Sequence, residues 1–566
     1  MYSCDQDVWK DVDMGHRDFL RDYITQLPNK YMLTLEEGDK IKTELEGRMF
    51  EAEVNDVDAS LVQVVFPDQT CHWIFRGSLR FEPMRKLKEK MVSKSRRGTI
   101  QPVEMTMMEP QKFYVHVCDA DCLQQYQYNP EMFRQSNPLC IPLHLGWRRQ
   151  LVAGDFDDSA WVIIYITPCG RRLRNLEEVC QFLLITQSNL EIDFFAFDPW
   201  LTVAREFVPT SDFIQLQDIS FGQERMPISA CNSYDSAFPG HIQYSTVPVP
   251  QKNVIIDKDP GFLIGCDCKD GCENKKMCAC RQLTIKSTVG DRGGSENDDA
   301  GYVHRRLQDV VMTGIYECNK TCKCSSSCLN RLVQFPIRSR LQIFRTGSCG
   351  WGIRCLDDLP QGAFVCTYVG KLYGPEEGNE QGKLFGDTYF ADLDMIETVE
   401  TRKEGFESDE DEDEGIDTDP EDEAGETKAK IMKKAEPSSN AVTKESEAKT
   451  ETDKSDDNPE GEDGEESKIK SVRKYFGPDE DIYIMDAMQQ GNIGRYLNHS
   501  CDPNVFVQNV FVDSHDIRFP TIAFFTIKYV PAGEELCWNY NYQVGSVEGK
   551  EMQCNCGASN CRGRLL

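Results

Sequence analysis

Gly494-Arg495-Tyr496-Leu497-Asn498-His499-Ser500-Cys501 and Gly533-Glu534-Glu535-Leu536-Cys537-Trp538-Asn539-Tyr540-Asn541-Tyr542 lie near the end of this 566-residue chain and hold its densest chemistry. The first packs an amide, an imidazole and a thiol into four residues; the second sets three aromatic rings within five. Working outward, three further segments precede them in order: Gly350-Trp351-Gly352-Ile353-Arg354, Tyr368-Val369-Gly370 and Gly386-Asp387-Thr388-Tyr389-Phe390-Ala391-Asp392-Leu393-Asp394. One Gly-x-Gly alone is a weak signal, whereas five ordered segments flanked by two cysteine packets are a strong one. Gly350 and Gly352 allow a ligand to approach the backbone closely, with Trp351 packing beside it.

The cysteines on either side are spaced for metal. Cys266, Cys268, Cys272, Cys278 and Cys280 form one group, with Cys318, Cys322, Cys324 and Cys328 following after a gap. A structural zinc takes four thiolates in a tetrahedron. Three zincs need twelve coordination positions, which nine sulfurs fill if three of them bridge. A disulfide cluster is the rival reading, disfavoured in the reducing compartment expected for this chain. The packet Cys554-Asn555-Cys556-Gly557-Ala558-Ser559-Asn560-Cys561 has three thiols, one short of a closed site, so a fourth ligand must come from elsewhere.

Together the five segments and both packets closely resemble a SET domain framed by pre-SET and post-SET zinc clusters. The resemblance implies that Cys501 completes the post-SET site, for three zincs in pre-SET and one in post-SET. It leaves 12 of the 25 cysteines without a ligand pattern, read as ordinary thiols. The implied activity is methyl transfer from S-adenosylmethionine to a protein lysine. That reaction is an in-line displacement, so the protein mainly has to align a neutral amine with the methyl carbon. An aromatic channel beside a sulfonium favours the neutral form of a lysine whose ordinary pKa is about 10.4.

Residue by residue, Tyr540 matches the family's catalytic tyrosine and Tyr368 a second channel tyrosine, with Tyr542 and Tyr389 as supporting walls. Gly350, Trp351, Gly352, Asn498 and the His499 backbone match cofactor-holding positions, and Arg495 has a mixed structural and cofactor role. In this fold the Asn498 segment is threaded through a loop closed by the C-terminal part. Trp538 stands where SET enzymes usually carry Phe or Tyr. Lacking a hydroxyl, it holds no water that would restrict the amine to one methyl, which points to di- or trimethylation. Asn539 replaces the more usual Asp, and activity is expected to survive.

Two smaller modules precede the zinc cluster. Alternating stretches between Glu36 and Pro83, including Trp73-Ile74-Phe75-Arg76-Gly77-Ser78, suggest a small β-barrel and resemble a Tudor domain. Phe50, Phe66, Trp73 and Phe75 are either an aromatic cage for methylated lysine or core. From Pro138 to Trp200, Leu145-Gly146-Trp147-Arg148-Arg149, strand-like Trp161-Val162-Ile163-Ile164-Tyr165-Ile166, Pro168-Cys169-Gly170-Arg171-Arg172-Leu173-Arg174 and a helix near 176–186 resemble a methyl-CpG-binding domain. Arg174 matches one base-reading arginine. The second arginine position falls at Gly154 and the acidic one near Val162, so the methyl-CpG reading groups are incomplete. Arg148, Arg149, Arg171, Arg172 and Arg174 are left for DNA-backbone or protein contact.

The organisation expected is a helical lead-in (1–35), Tudor-like module (36–84), linker (85–137), methyl-CpG-binding-like module (138–205), linker (206–258), pre-SET (259–335), SET in two parts (336–399 and 473–545) split by an acidic disordered insertion (400–472), and post-SET (546–566). The fold class is multidomain and mainly β: a barrel, an α/β module, a zinc cluster and a β-rich SET fold with a pseudoknot. The net charge of −31 is concentrated, since residues 404–467 hold 26 Asp and Glu against 7 Lys, a net of −19, leaving −12 elsewhere. Such a segment buries too little surface to fold. The chain has no apolar run of the ~20 residues needed to cross a bilayer, and its polar start lacks a secretory signal profile. The basic run Arg85 to Arg97 reads as a nuclear-import signal or a solvated linker. The resemblance extends to the bifurcated SET family that methylates lysine 9 of histone H3, which implies nucleus and chromosome, a histone H3 tail in chromatin as substrate, protein partners, and transcriptional repression. A catalytically weak chromatin scaffold and a methyltransferase of non-histone protein are the alternatives.

Overall fold

The structure is a computed structural model that describes residues 33–45, 48–58, 61–76, 81–83, 98–103, 114–153, 161–209, 213–291, 294–347, 349–403, 482–542, 544–545, 551–558 and 560–566. The basic run and most of the helical lead-in and of the acidic insertion lie outside them. Among the described residues the architecture is multidomain and mainly β, with a few short helices.

The first module is an antiparallel meander of Lys40–Leu45, Arg48–Asp58, Leu61–Val65 and Cys71–Phe75. Strand alternation puts Ile41, Ala52, Val54, Val62, Val64 and Ile74 on one face, closed by Phe66 and Phe81. Phe66 is 2% exposed, so it packs the core and walls no cage. Phe50 meets it edge-on at 6.2 Å, and Trp73 stays half-buried.

In the second module Arg148–Ala153, Trp161–Ile166 and Arg172–Leu173 form an antiparallel sheet. It is covered by the helix Leu176–Ile185, whose first turn is capped by the Asn175 side chain accepting from the Glu178 N–H at 2.8 Å. Trp147 is buried between Phe182 and Phe195. The expected arginine surface is partly spent internally. Arg149 donates to the carbonyls of Ala196 and Asp198 at 3.2 and 2.6 Å, and Arg171 turns to the Cys118 thiol. Arg174 remains exposed, 3.8 Å from Glu178. The module is clamped to the next by Arg305, itself 2% exposed, which pairs with Glu191 at 2.6 Å and donates to the Cys328 and Ser326 carbonyls.

The SET region is assembled from strands far apart in sequence. A six-stranded sheet runs Ile214–Leu216, Ser229–Asn232, Leu341–Arg345, Trp351–Cys355, Glu535–Trp538, Asn498–His499. A second sheet joins Gly370–Tyr373 and Phe390–Leu393, from before the acidic insertion, to Tyr483–Gly491 after it. Ile343, Ile353, Val365, Phe524 and Leu536 are fully buried in one shared core cluster, Val365 and Phe524 coming from a third sheet that pairs Phe364–Tyr368 with Thr521–Thr526. Each such side chain contributes about 1.5–3 kcal/mol, which ties the two halves of the split domain into one core.

Two expected boundaries shift. Residues 206–258, read as a linker, supply Ser229–Asn232, parallel to Leu341–Arg345, and Val249–Pro250, parallel to Gly370–Tyr373. The helix Met395–Lys403 runs past the expected start of the insertion at 400, with Glu400 and Lys403 paired at 2.9 Å and buried.

Candidate functional site

The site forms where Glu535–Trp538 is held on both sides. Trp351–Cys355 pairs with it antiparallel, and the two-residue strand Asn498–His499 lies parallel to it, opposite Cys537 and Trp538. Asn504 locks this threading: its amide donates to the Glu535 carbonyl at 2.8 Å and its carbonyl accepts from the Cys537 N–H at 2.9 Å. The Ser500 N–H adds a backbone bond to the Trp538 carbonyl at 2.9 Å, and the Asn504 side chain anchors the same segment a few residues further on.

Tyr540 stands at the end of this arrangement. Its hydroxyl donates to the Leu497 carbonyl at 3.0 Å, and its backbone N–H donates to His499 Nδ1 at 3.1 Å. Since an N–H can only donate, Nδ1 is the acceptor and the imidazole proton sits on Nε2, 3.4 Å from the Cys501 sulfur. Burial, then the charge of Arg562, hold His499 below its ordinary pKa and so neutral. The Tyr368 hydroxyl donates to the Tyr389 carbonyl at 2.7 Å. Burial pushes both the Tyr540 and Tyr368 hydroxyls well above the usual tyrosine range, so both remain neutral. With each hydrogen committed to a carbonyl, each oxygen keeps lone pairs to accept an N–H.

The aromatic walls are contiguous. Trp538 lies between Phe524 and Tyr540 at 5.3 and 5.0 Å, and Tyr542 meets Tyr540 at 5.6 Å from a more exposed position. Arg495 stacks its guanidinium over Tyr389 at 4.0 Å and Tyr496 at 4.8 Å, and its Nε donates to the Ala487 carbonyl. It braces the wall.

On the other flank, Asn498 donates to the Trp351 carbonyl at 3.1 Å and to Glu535 at 2.8 Å. Gly352 is required here: a Cβ would sit 2.5 Å from Glu535 Oε1, 2.9 Å from Thr346 Cγ2 and 3.0 Å from Asn498 Nδ2. Gly350 adopts φ 78°, a left-handed conformation natural to glycine. Burial raises the Glu535 pKa above the ordinary carboxylate value.

Sequence reasoning assigned no role to Glu535, Asn504 or the His499 ring. Glu535 and Asn504 show themselves only once the threading is known. The ring's neighbour Cys501 was the available signal.

The cysteines gather as the spacing implied. Cys266, Cys278, Cys280 and Cys318 bring their sulfurs within 4.8 Å of one another, as do Cys266, Cys272, Cys318 and Cys324, and Cys266, Cys268, Cys272 and Cys278. Sulfurs shared between sets are what bridging requires. The Cys266–Cys272, Cys266–Cys318 and Cys272–Cys318 sulfur separations are 3.7, 3.8 and 3.7 Å, against roughly 3.8 Å for two thiolates 2.3 Å from one tetrahedral zinc. Cys322 approaches Cys280 at 3.4 Å, and Cys328 is buried in the same cluster. N–H donors line it: Asn319 and Cys266 toward the Cys322 sulfur, Asn330 toward Cys318 and Arg331 toward Cys324. A buried all-sulfur set with N–H donors suits zinc. At the C-terminal end Cys501, Cys554, Cys556 and Cys561 form a separate four-sulfur group, half-buried, with Cys501 and Cys554 3.8 Å apart.

Comparison with known proteins follows this layout. Residues 350–541 match the SET domain, 220–331 the Pre-SET motif, 35–83 the histone methyltransferase Tudor domain and 133–205 the methyl-CpG binding domain. The chain is 36% identical over 659 residues to the histone-lysine N-methyltransferase eggless of Drosophila pseudoobscura pseudoobscura, covering 100% of this chain and 52% of that protein. It is 31% identical to the histone-lysine N-methyltransferase SETDB2 of Mus musculus, covering 80% of each. Against the crystal structure of Arabidopsis thaliana SUVH6 in complex with SAM the identity is 26% and the TM-score 0.38, over 62% of this chain and 55% of that one. The chain thus spans about half the length of the eggless proteins it matches.

Proposed function

We propose that this chain, which belongs to the eggless and SETDB family of histone-lysine N-methyltransferases, transfers methyl groups from S-adenosylmethionine to lysine 9 of histone H3, giving the di- or trimethylated product. The observation that carries this reading is the Tyr540 hydroxyl, fixed on the carbonyl of Leu497, the residue that leads into the threaded Asn498 and His499, with its oxygen lone pairs left to accept.

When bound, S-adenosylmethionine supplies the electrophilic methyl group. Asn498, Gly352, Gly350 and Trp351 form its cradle, where Gly352 admits the backbone that a Cβ would block. Tyr540 and Tyr368 accept N–H bonds from the incoming amine and aim its lone pair, an alignment that removes much of the entropic barrier. Because both phenols stay neutral, they do not hold the lysine as a cation by charge. Trp538 walls the channel without a hydroxyl to fix a water, which leaves room for repeated transfer. Tyr389, Tyr542 and Arg495 keep the wall in place.

Zinc fits both cysteine clusters: three ions in the nine-cysteine cluster and one held by Cys501, Cys554, Cys556 and Cys561. The second bears on catalysis, since Cys501 orients His499 and His499 receives the Tyr540 N–H. The setting for this activity is nuclear chromatin and its repression, with the histone H3 tail as substrate, the exposed Arg174 available to DNA phosphate, and protein partners on the smaller modules. No helix among the described residues is long and apolar enough to cross a membrane.

Transfer of tritium from labelled S-adenosylmethionine to a histone H3 tail peptide, and to the same peptide with lysine 9 replaced by arginine, tests the reading. Label in the first peptide alone supports it, and equal label in both overturns the site of methylation.

A further inference from the structure

Away from the two expected clusters, four ligating side chains meet at the edge of the methyl-CpG-binding-like module. His116, Cys118, Cys122 and Cys169 bring one ring nitrogen and three sulfurs within 4.8 Å of one another. The three cysteines belong to the twelve that the sequence reading took for ordinary thiols.

Local structure explains the meeting. Asp119 caps the turn Ala120–Leu123 through the Asp121 N–H, and this folds Cys122 back toward Cys118. Cys169 sits in the tight turn between Trp161–Ile166 and Arg172–Leu173, where the Gly170 N–H donates to the Thr167 carbonyl at 2.9 Å and Gly170 takes φ 88°. His116 Nε2 lies 3.2 Å from the Cys122 sulfur and 3.5 Å from that of Cys118. A ligand pair on one tetrahedral zinc, with nitrogen at 2.0–2.1 Å and sulfur at 2.3 Å, stands roughly 3.5 Å apart.

The surroundings are those of a metal site. His116 Nδ1 lies 2.7 Å from the Tyr114 carbonyl, an arrangement that places the proton on Nδ1 and leaves Nε2 its lone pair for a metal. Three thiolates and one divalent ion carry a net charge of −1, and the Arg171 guanidinium stands 3.5 Å from the Cys118 sulfur to offset it. The Thr167 hydroxyl is 3.2 Å from the Cys169 sulfur. Tyr114, Val115 and Val117 are 75%, 96% and 90% exposed, so apolar burial holds this segment only from Cys118 and Leu123 onward.

We propose that His116, Cys118, Cys122 and Cys169 bind one structural zinc that pins the segment before the methyl-CpG-binding-like module onto that module's β-turn. The donor set of three sulfurs and one imidazole selects zinc over oxygen-preferring cations. Three of the four ligands precede the residues 133–205 matched by the methyl-CpG binding domain, so the ion extends the module at its N-terminal side.

The test compares zinc per chain by elemental mass spectrometry in the native full chain, in Cys122→Ser and Cys169→Ser, and in Cys71→Ser, whose thiol is exposed on the first module. Either of the first two is expected to lose one zinc and Cys71→Ser none; retention of the full count in Cys122→Ser and Cys169→Ser overturns the proposal. A difference of one is independent of how many ions the other clusters hold. If those variants fail to fold, alkylation of the native chain with N-ethylmaleimide decides: protection of the half-exposed Cys122 and Cys169 that chelation abolishes supports the site, and equal labelling before and after chelation overturns it.

Discussion

Replacing Gly352 by alanine tests the cradle at its tightest point. The new Cβ would lie 2.5 Å from Glu535 Oε1, 2.9 Å from Thr346 Cγ2 and 3.0 Å from Asn498 Nδ2. Ordinary contact is 3.4–4 Å, so the Glu535 carboxyl must retreat by about 1 Å, taking with it the 2.8 Å bond from Asn498. A misplacement of about 1 Å costs on the order of 100-fold in rate, equivalent to about 2.7 kcal/mol. The expected outcome is a fall of that order in kcat/KM, with weaker S-adenosylmethionine binding by calorimetry, while zinc content and melting temperature stay near native. A variant within threefold of native kcat/KM would refute the reasoning, because it would mean that Asn498 and Glu535 do not need their present positions.

Further expectations follow from the supporting contacts. Asn504→Ala removes both side-chain bonds that anchor the end of the threaded segment to Glu535–Trp538 and should lower stability by about 2–4 kcal/mol in denaturant unfolding. Arg305→Ala takes one of two guanidinium partners from Glu191, which keeps Arg338, at the joint with the methyl-CpG-binding-like module; about 1–3 kcal/mol is expected, read as a lower melting temperature of that module and the pre-SET cluster together. Chelator should strip the half-exposed group Cys501, Cys554, Cys556 and Cys561 before the buried nine-cysteine cluster, so methyl transfer is lost while far-ultraviolet circular dichroism is still native. Glu535 has a pKa raised by burial; its share of stability is present below the unfolded carboxylate pKa and lost as pH rises through the folded value. Glu535→Gln should therefore melt higher relative to native at pH 8 than at pH 4, and an equal difference at both would exclude a charged-form penalty.

Much of this architecture is legible in the sequence itself. Trp161–Ile166 and the helix from Leu176 carry their own signals, an unbroken β-branched and aromatic run in one case and an Asn cap with first-turn acids in the other. The nine cysteines were legible because metal ligation leaves a spacing pattern. What was missed depends on partners distant in sequence. Ser229–Asn232 and Val249–Pro250 span four and two residues, too short to show a period, and exist as strands because Leu341–Arg345 and Gly370–Tyr373 offer them edges. Glu535 acquires meaning from Asn498, and Cys169 lies 47 residues beyond Cys122, beyond any local motif. Phe66 is open in sequence to a cage or a core reading, with core the commoner fate of an aromatic on a short strand, and its burial decides for core.

The most direct test of the central claim is the mass of a histone H3 tail peptide after incubation with S-adenosylmethionine and either the native zinc-loaded chain or Tyr540→Phe. The account predicts two or three methyl groups at lysine 9 with the native chain and a loss on the order of 100-fold or more with Tyr540→Phe. Equal methylation by both, or none by a folded native chain carrying its zinc, would contradict it.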